Sequence, residues 1–354
     1  MKSFTLLSVA GEERTKELIE VVLGRQPADL AIINAKTMNV YTGELLDNYS
    51  ITVKGEWIAY VGDDPGGAIG PRTEVIDAKG KTVIPGLIDG HTHICWLYEI
   101  SDFLKYVMKG GTTTIITETM EAYPIMGYEG TIELLASLSD QPVKIFGTAP
   151  SMVSISKSAR GITREPLKKL LARDDILGLG EAYWQDVVRD PEVFLPRFAE
   201  TLLSGKKLEG HSAGARGKKL MAYLAPGISS CHEPINAGEV LERLRLGIHV
   251  MIREGSIRRD LEDISKIKGS GIDLRKLILV TDGVEPVDLL EKGYMEFVVQ
   301  KAIDCGFDPV DAVRMATINV AEHFSLDGII GGIAPGKYAD MLIIPDPGTI
   351  SAEY

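Results

Sequence analysis

The sequence predicts a TIM (β/α)8 barrel flanked by a small β-sandwich-like domain built from both ends of the chain. Three observations carry this. From residue 82 onward, apolar strand-length runs alternate with helical patterns, the mark of a parallel sheet wrapped by helices. Eight such runs fill about 245 residues, the number and size of one barrel. An Ala-Asp-apolar run stands before them, Ala28-Asp29-Leu30-Ala31-Ile32-Ile33, and a similar one after them, Ala339-Asp340-Met341-Leu342-Ile343-Ile344.

Residues 12–23 read as a helix stopped by Gly24 and Pro27. Short strands follow at 31–33 (running into 39–43), 50–53, 57–62 and 73–76. Turn residues separate them, which predicts a small antiparallel sheet. The barrel strands are expected at 82–88, 112–117, 143–148, 176–180, 207–210, 227–231, 248–253 and 276–281, with helices such as 191–203 and 237–246 between them. A last strand, 336–344, returns to the first sheet. The expected domains are therefore 1–81, the barrel 82–325, and 326–354 completing the small domain.

The 354 residues are 45% hydrophobic and 25% charged, ordinary globular values that exclude disorder. A net charge of −12 repels phosphate backbones and argues against nucleic acid as a partner. No apolar run reaches the roughly 18 residues needed to span a bilayer, and Met1 to Arg14 lack the pattern of a signal peptide. Three cysteines, Cys95, Cys231 and Cys305, make no disulfide framework and fit a reducing cytoplasm. A small-molecule substrate is the expected partner, and the sequence leaves a homo-oligomer open.

Only 6 histidines are present. His91 and His93 close the run Val83-Ile84-Pro85-Gly86-Leu87-Ile88-Asp89-Gly90-His91-Thr92-His93. Alternate positions at a strand's end point both rings to one side, where neutral imidazoles can grip one metal ion. Other strands end in related chemistry: Gly180-Glu181, Gly210-His211, Cys231-His232-Glu233 and Thr281-Asp282-Gly283. In a barrel these ends ring the mouth that holds the active site. One such residue alone is commonly a salt-bridge partner or a satisfied polar group; recurrence at five strand ends points to a site. Four imidazoles and two carboxylates suit two divalent ions sharing a bridging carboxylate and a bridging hydroxide. His249 opens the seventh strand, at the wrong end, and His323 lies in the last helix; both read as structural. Cys95 continues the alternation of the two histidines and can face the site, although small apolar packing is the commoner use of a cysteine. Trp96 reads as a pocket wall.

The run from Val83 to His93 resembles the signature of the amidohydrolase superfamily. More narrowly, the chain is similar to the adenine deaminase-like branch, through Gly178-Leu179-Gly180-Glu181, Gly210-His211-Ser212-Ala213-Gly214, Cys231-His232-Glu233, Leu244-Arg245-Leu246-Gly247, Val250-Met251-Ile252-Arg253-Glu254-Gly255-Ser256 and Met315-Ala316-Thr317-Ile318-Asn319. The likeness runs from about Glu17 to Ile344. It implies a hydrolase of carbon–nitrogen bonds other than peptide bonds, using one or two divalent ions (Zn, Fe(II) or Mn). His91 and His93 would hold the first ion, and His211 and His232 the second. Glu181 would bridge them, where many relatives use a modified lysine. Asp282 would touch the first ion and act as the catalytic proton shuttle for a metal-bound hydroxide attacking an sp² carbon. Arg253 and Glu254 would orient substrate, with a buried ion pair as the plain alternative.

Three departures stand out. Adenine deaminases carry Glu-Ser-Ser where Cys95-Trp96-Leu97 stand here, Asp-Pro-His-Glu where Glu118-Thr119-Met120-Glu121 stand, and two adjacent aspartates where Asp282 is followed by Gly283. Many also have a second large C-terminal domain, whereas this sequence ends at Tyr354. The changes make Glu118 and Glu121 the expected polar contacts to substrate. They also predict adenine turnover that is weak beside the best related ring. The main reading is deamination of adenine or a related amino-heterocycle. Hydrolysis of a cyclic amide, lactam or imide by the same site is the first rival, and a non-catalytic metal-binding barrel the second.

Overall fold

The computed structural model describes residues 11–94, 98–151 and 161–353. Its first part is a meander of β1 (Leu30–Asn39), β2 (Glu44–Lys54) and β3 (Trp57–Gly62), paired antiparallel in that order. Ile32, Ala35, Ile51 and Ile58 bury one face of it. The helix Glu12–Val22 lays Leu18 and Val21 against Trp57 and Ala59. Of the strand expected at 39–43, only Asn39 is in a strand, as the end of β1. Asn39 Oδ1 accepts the backbone N–H groups of Tyr41 (3.0 Å) and Thr42 (3.1 Å), and Gly43 takes φ 83°, so Val40–Gly43 is the turn joining β1 to β2.

Two further strands pair parallel to β1: β4 (Glu74–Asp77) and β5 (Thr82–Pro85). The return strand β14 (Met341–Ile344) pairs antiparallel with β5. Strands from both ends of the sequence thus share one six-stranded sheet, ordered β14-β5-β1-β2-β3 with β4 beside β1.

The apolar run 82–88 is two strands, not one. Gly86 separates β5 from β6 (Leu87–Thr92), and the two belong to different sheets. The barrel wall therefore begins at Leu87 rather than at residue 82. Gly86 is tied down by its N–H to Asp340 O (2.8 Å), and a Cβ there would lie 2.4 Å from Thr113 Oγ1, so the crossing tolerates no side chain.

From β6 the chain winds through β7 (Thr112–Thr117), β8 (Lys144–Ala149), β9 (Ile176–Tyr183) and β10 (Lys207–His211), all parallel. A second parallel sheet holds β11 (Ser230–Cys231), β12 (His249–Arg253) and β13 (Leu277–Val280). Backbone hydrogen bonds cross both seams: Ser229 N–H to Leu208 O (2.9 Å) and Asp282 N–H to His91 O (3.1 Å). The eight parallel strands among the described residues form a curled, TIM-barrel-like wall. β6 and β13 are buried along their whole length, as parallel strands covered on both faces must be. Ile88, Ile116, Phe146, Met251, Ile278 and Val280 belong to one apolar cluster. Helices such as Pro191–Leu203 and Ala237–Arg245 lie where the sequence pattern placed them. Among the described residues no helix is long and apolar enough to cross a membrane.

Gly86→Ala should lower unfolding free energy by about 1–3 kcal/mol, the usual scale of overpacking. Adding Thr113→Ala should recover part of the loss, because the two residues are in contact. Denaturant unfolding of both proteins measures this, and an unchanged midpoint in Gly86→Ala would show that the crossing is not tight.

Candidate metal centre

Asp89, His91 and His93 occupy alternate positions along and just past β6. The Asp89 carboxylate is fully buried and accepts four hydrogen bonds. Oδ1 takes the N–H of His91 (3.3 Å) and of Thr281 (3.2 Å), and Oδ2 takes the hydroxyls of Thr281 (2.6 Å) and Tyr294 (2.6 Å). This ties the end of β6 to the segment leaving β13. The next residue, Asp282, sits at φ 56°, a left-handed conformation uncommon outside glycine. Its Oδ1 lies 3.3 Å from His91 Nε2 and 3.4 Å from His93 Nε2. Its Oδ2 accepts from Arg253 at the end of β12 (3.2 Å), and Asp260 holds the other edge of that guanidinium (3.1 and 3.2 Å). Burial alone would raise the Asp282 carboxyl, but the His91 and His93 contacts outweigh it and hold it well below the carboxylate range.

A second group forms beside the first. Glu181 stands in β9, His211 ends β10, and His232 and Glu233 follow the two-residue β11. Glu181 Oε2 contacts His211 Nδ1 and lies 3.5 Å from His232 Nε2, while Oε1 lies 3.7 Å from His93 Nε2. Each oxygen of one carboxylate thus faces a different group. The His91 and His232 rings stack with centroids 4.1 Å apart. All six residues expected at the barrel mouth are brought together. His211, with a quarter of its side chain exposed, opens toward solvent, while the other five are buried.

The donor set fits divalent metal. Buried His91 Nε2 and Glu233 Oε1 have no hydrogen-bond partner outside the site and face only its own groups, Asp282 for the one and His211 and His232 for the other, as ligand atoms around a cation would. His91, His93 and Asp282 present ligand atoms within 4.8 Å of one another, and so do Glu181, His211, His232 and Glu233.

Glu118 and Glu121, expected against substrate, lie behind the imidazoles instead. Glu121 Oε1 is 2.6 Å from His93 Nδ1. Glu118 Oε1 is 3.8 Å from His91 Nδ1 and accepts the Glu181 N–H (3.3 Å), while Oε2 accepts from Thr148 Oγ1 (2.8 Å). Burial pushes the Glu118 carboxyl up to about 7 against the pull of His91. Each histidine of the pair thus turns Nε2 inward with a glutamate on the side of its Nδ1, the arrangement that fixes tautomer and ring orientation in metal sites. Arg253 and Glu254 both stand in buried ion pairs. Arg253 is paired as described, and Glu254 is buried against Lys301 Nζ (2.5 Å) and the Leu261 N–H (3.4 Å). Cys95 and Trp96 lie outside the described residues. His323 pairs with Glu209 (2.9 Å) and packs on His249, apart from the metal groups, as their sequence positions indicated.

Sequence reasoning missed Asp89, Tyr294 and Glu233 as parts of the site. Asp89 shares the alternation of His91 and His93 and was visible in principle. Glu233 follows His232 directly, and strict alternation would point it away, but β11 ends before either residue.

Two models described as "Amidohydrolase family" match residues 74–131 and 202–352. The adenine deaminase of Cenarchaeum symbiosum (strain A) is 38% identical over 336 residues, covering 93% of this chain and 55% of that protein. The chain belongs to the amidohydrolase superfamily, in its adenine deaminase-like branch. The adenine deaminase of Ruegeria sp. (strain TM1040) is likewise 38% identical over 345 residues, 95% of this amidohydrolase and 57% of the relative. The chain therefore spans a little over half the length of the curated relatives it matches. N-acetylglucosamine-6-phosphate deacetylase from Pasteurella multocida has the same fold, with TM-score 0.69 at 17% identity over 90% of this chain and 96% of that one. Family and donor set together indicate divalent metal use.

Two substitutions test the reading of the outer glutamates. Glu118→Gln and Glu121→Gln should each weaken metal binding by about 10–100-fold, measured by competition with a chelator dye. Unchanged metal affinity with a raised KM would return them to the substrate side. His91→Ala with His93→Ala should cost at least one metal per chain by elemental analysis.

Proposed function

We propose that this amidohydrolase hydrolyses the exocyclic amine of adenine or a closely related amino-heterocycle. The observation that carries the reading is the convergence of four imidazoles and two carboxylates at one end of the barrel, with Asp282 against both histidines of the first group. The similarity to adenine deaminases over nearly all of this chain supports the choice of substrate. His91, His93 and Asp282 would hold one divalent ion, His211 and His232 a second, and Glu181 would join them; Zn, Fe(II) and Mn all suit such donors. When bound, the ions supply Lewis acidity and make water acidic enough to attack near neutral pH.

The chain's own residues supply the rest. Arg253 holds Asp282 Oδ2, which leaves Oδ1 as the oxygen that takes a proton from the attacking water. Oδ1 then returns that proton to the departing nitrogen. A carbon–oxygen bond forms, the carbon–nitrogen bond breaks, and ammonia leaves with the hydroxypurine tautomer as the other product. The buried walls around His91, His93 and His232 exclude bulk water, and the partly open His211 side admits the ring. Gly283 offers no side chain where adenine deaminases carry a second aspartate. That favours hydrolysis of a cyclic amide, lactam or imide as the second reading. We also propose that the six-stranded sheet is a small domain beside the barrel and that the protein is cytoplasmic, the latter from its cysteine usage.

Asp282→Asn should lower turnover by at least ~10²-fold, the usual effect of removing a general acid–base group, with part of the metal retained. Near wild-type turnover would mean that another group moves the proton. Among adenine, substituted purines and small cyclic amides, the highest kcat/KM should belong to an aminopurine, followed by ammonia release. A cyclic amide as the best substrate would establish the second reading.

A further inference from the structure

We propose that Glu233 is a direct ligand of the second metal ion, which makes that site a cradle of two imidazoles and two carboxylates: Glu181, His211, His232 and Glu233. The inference rests on the metal-dependent reading above and adds a ligand to it. Glu233 Oε1 lies 3.1 Å from His211 Nδ1 and 3.1 Å from His232 Nε2. Nitrogen and oxygen ligands about 2.0–2.2 Å from one metal ion stand about 3 Å from each other, so Oε1 occupies the place of a third ligand beside those two rings. The side chain is only 3% exposed, and apart from those two imidazole nitrogens Oε1 has no hydrogen-bond partner.

The other oxygen shows that the carboxylate is held for this purpose. Glu233 Oε2 accepts the Ser212 N–H (2.7 Å) and lies 3.4 Å from the Ser212 hydroxyl. Ser212 is itself braced by Arg243, a fully buried arginine. Arg243 Nε donates to Ser212 Oγ (3.2 Å), and one terminal nitrogen donates to Ser212 O (3.1 Å) and Ala215 O (3.2 Å). Here one oxygen is anchored to backbone and the other is aimed between two metal-binding rings.

The test compares wild-type protein with Glu233→Gln, each stripped of metal and titrated with Mn²⁺, counting ions by elemental analysis and reading affinities by calorimetry. Wild type should take two ions. The variant should keep the first at unchanged affinity and bind the second at least ~100-fold more weakly, beyond the 10–100-fold effect of an outer partner. Glu233→Asp should fall between them. Two ions bound by Glu233→Gln at wild-type affinity, with or without a change in KM, would overturn the proposal and leave the two-metal reading standing. Fewer than two ions in wild type would overturn both. If Glu233→Gln fails to fold, the anomalous map of wild-type crystals soaked in Mn²⁺ decides. Oε1 within about 2.4 Å of the second peak is the expected result, and a water between them is the contrary one.

Discussion

The buried carboxylate of Asp89 joins the first strand of the barrel wall to the eighth. Its four donors come from His91, Thr281 and Tyr294, so it touches a candidate metal ligand and the residue just before Asp282 at once. Burial still raises its carboxyl above the ordinary value, even against four hydrogen bonds. Taking a carboxylate out of water costs several kcal/mol, and hydrogen bonds to a charged group return about 1.5–3 kcal/mol each. What the interaction supplies is therefore register more than net stability. With β6 and β13 locked, the Asp282 N–H meets His91 O, and its carboxylate has one place to go, against the two imidazoles.

The rest of the centre depends on that register in layers. Arg253 clamps the outer oxygen of Asp282 and is clamped in turn by Asp260. Glu118 reaches the Glu181 backbone while facing His91, so it links the two groups from behind. Glu121 fixes His93 in the same way. Apart from the part-exposed His211 and Glu121, the charged side chains here are buried, and each meets an opposite charge or a hydrogen bond. His91 Nε2 and Glu233 Oε1 face only other groups of the two candidate metal sites.

Much of this was legible in the sequence because candidate ligands at barrel strand ends obey simple rules. His91 and His93 alternate, and Glu181, His211, His232 and Asp282 each end a strand-length apolar run, so one face and one rim could be assigned without coordinates. Other features were hidden for physical reasons. Hydrophobic patterning cannot show that the run 82–88 changes sheets at Gly86, because both halves are equally buried. Spacing brings residues 118 and 121 near the strand ends, but it does not say on which side of an imidazole a glutamate lies. Glu233 escaped because β11 is only two residues long, so the chain has left the strand before alternation can orient it. Val40–Gly43 reads as a strand by composition, yet the Asn39 side chain captures two backbone donors and turns the chain.

The central claim is that this ring of residues is a metal-dependent hydrolytic centre. It is tested most directly by returning Mn²⁺ stepwise to metal-stripped protein while following ammonia release from adenine. The account predicts no release from stripped protein and a rise that reaches its plateau at two ions per chain. Ammonia release that persists in the stripped protein, or none at two ions per chain, would contradict it.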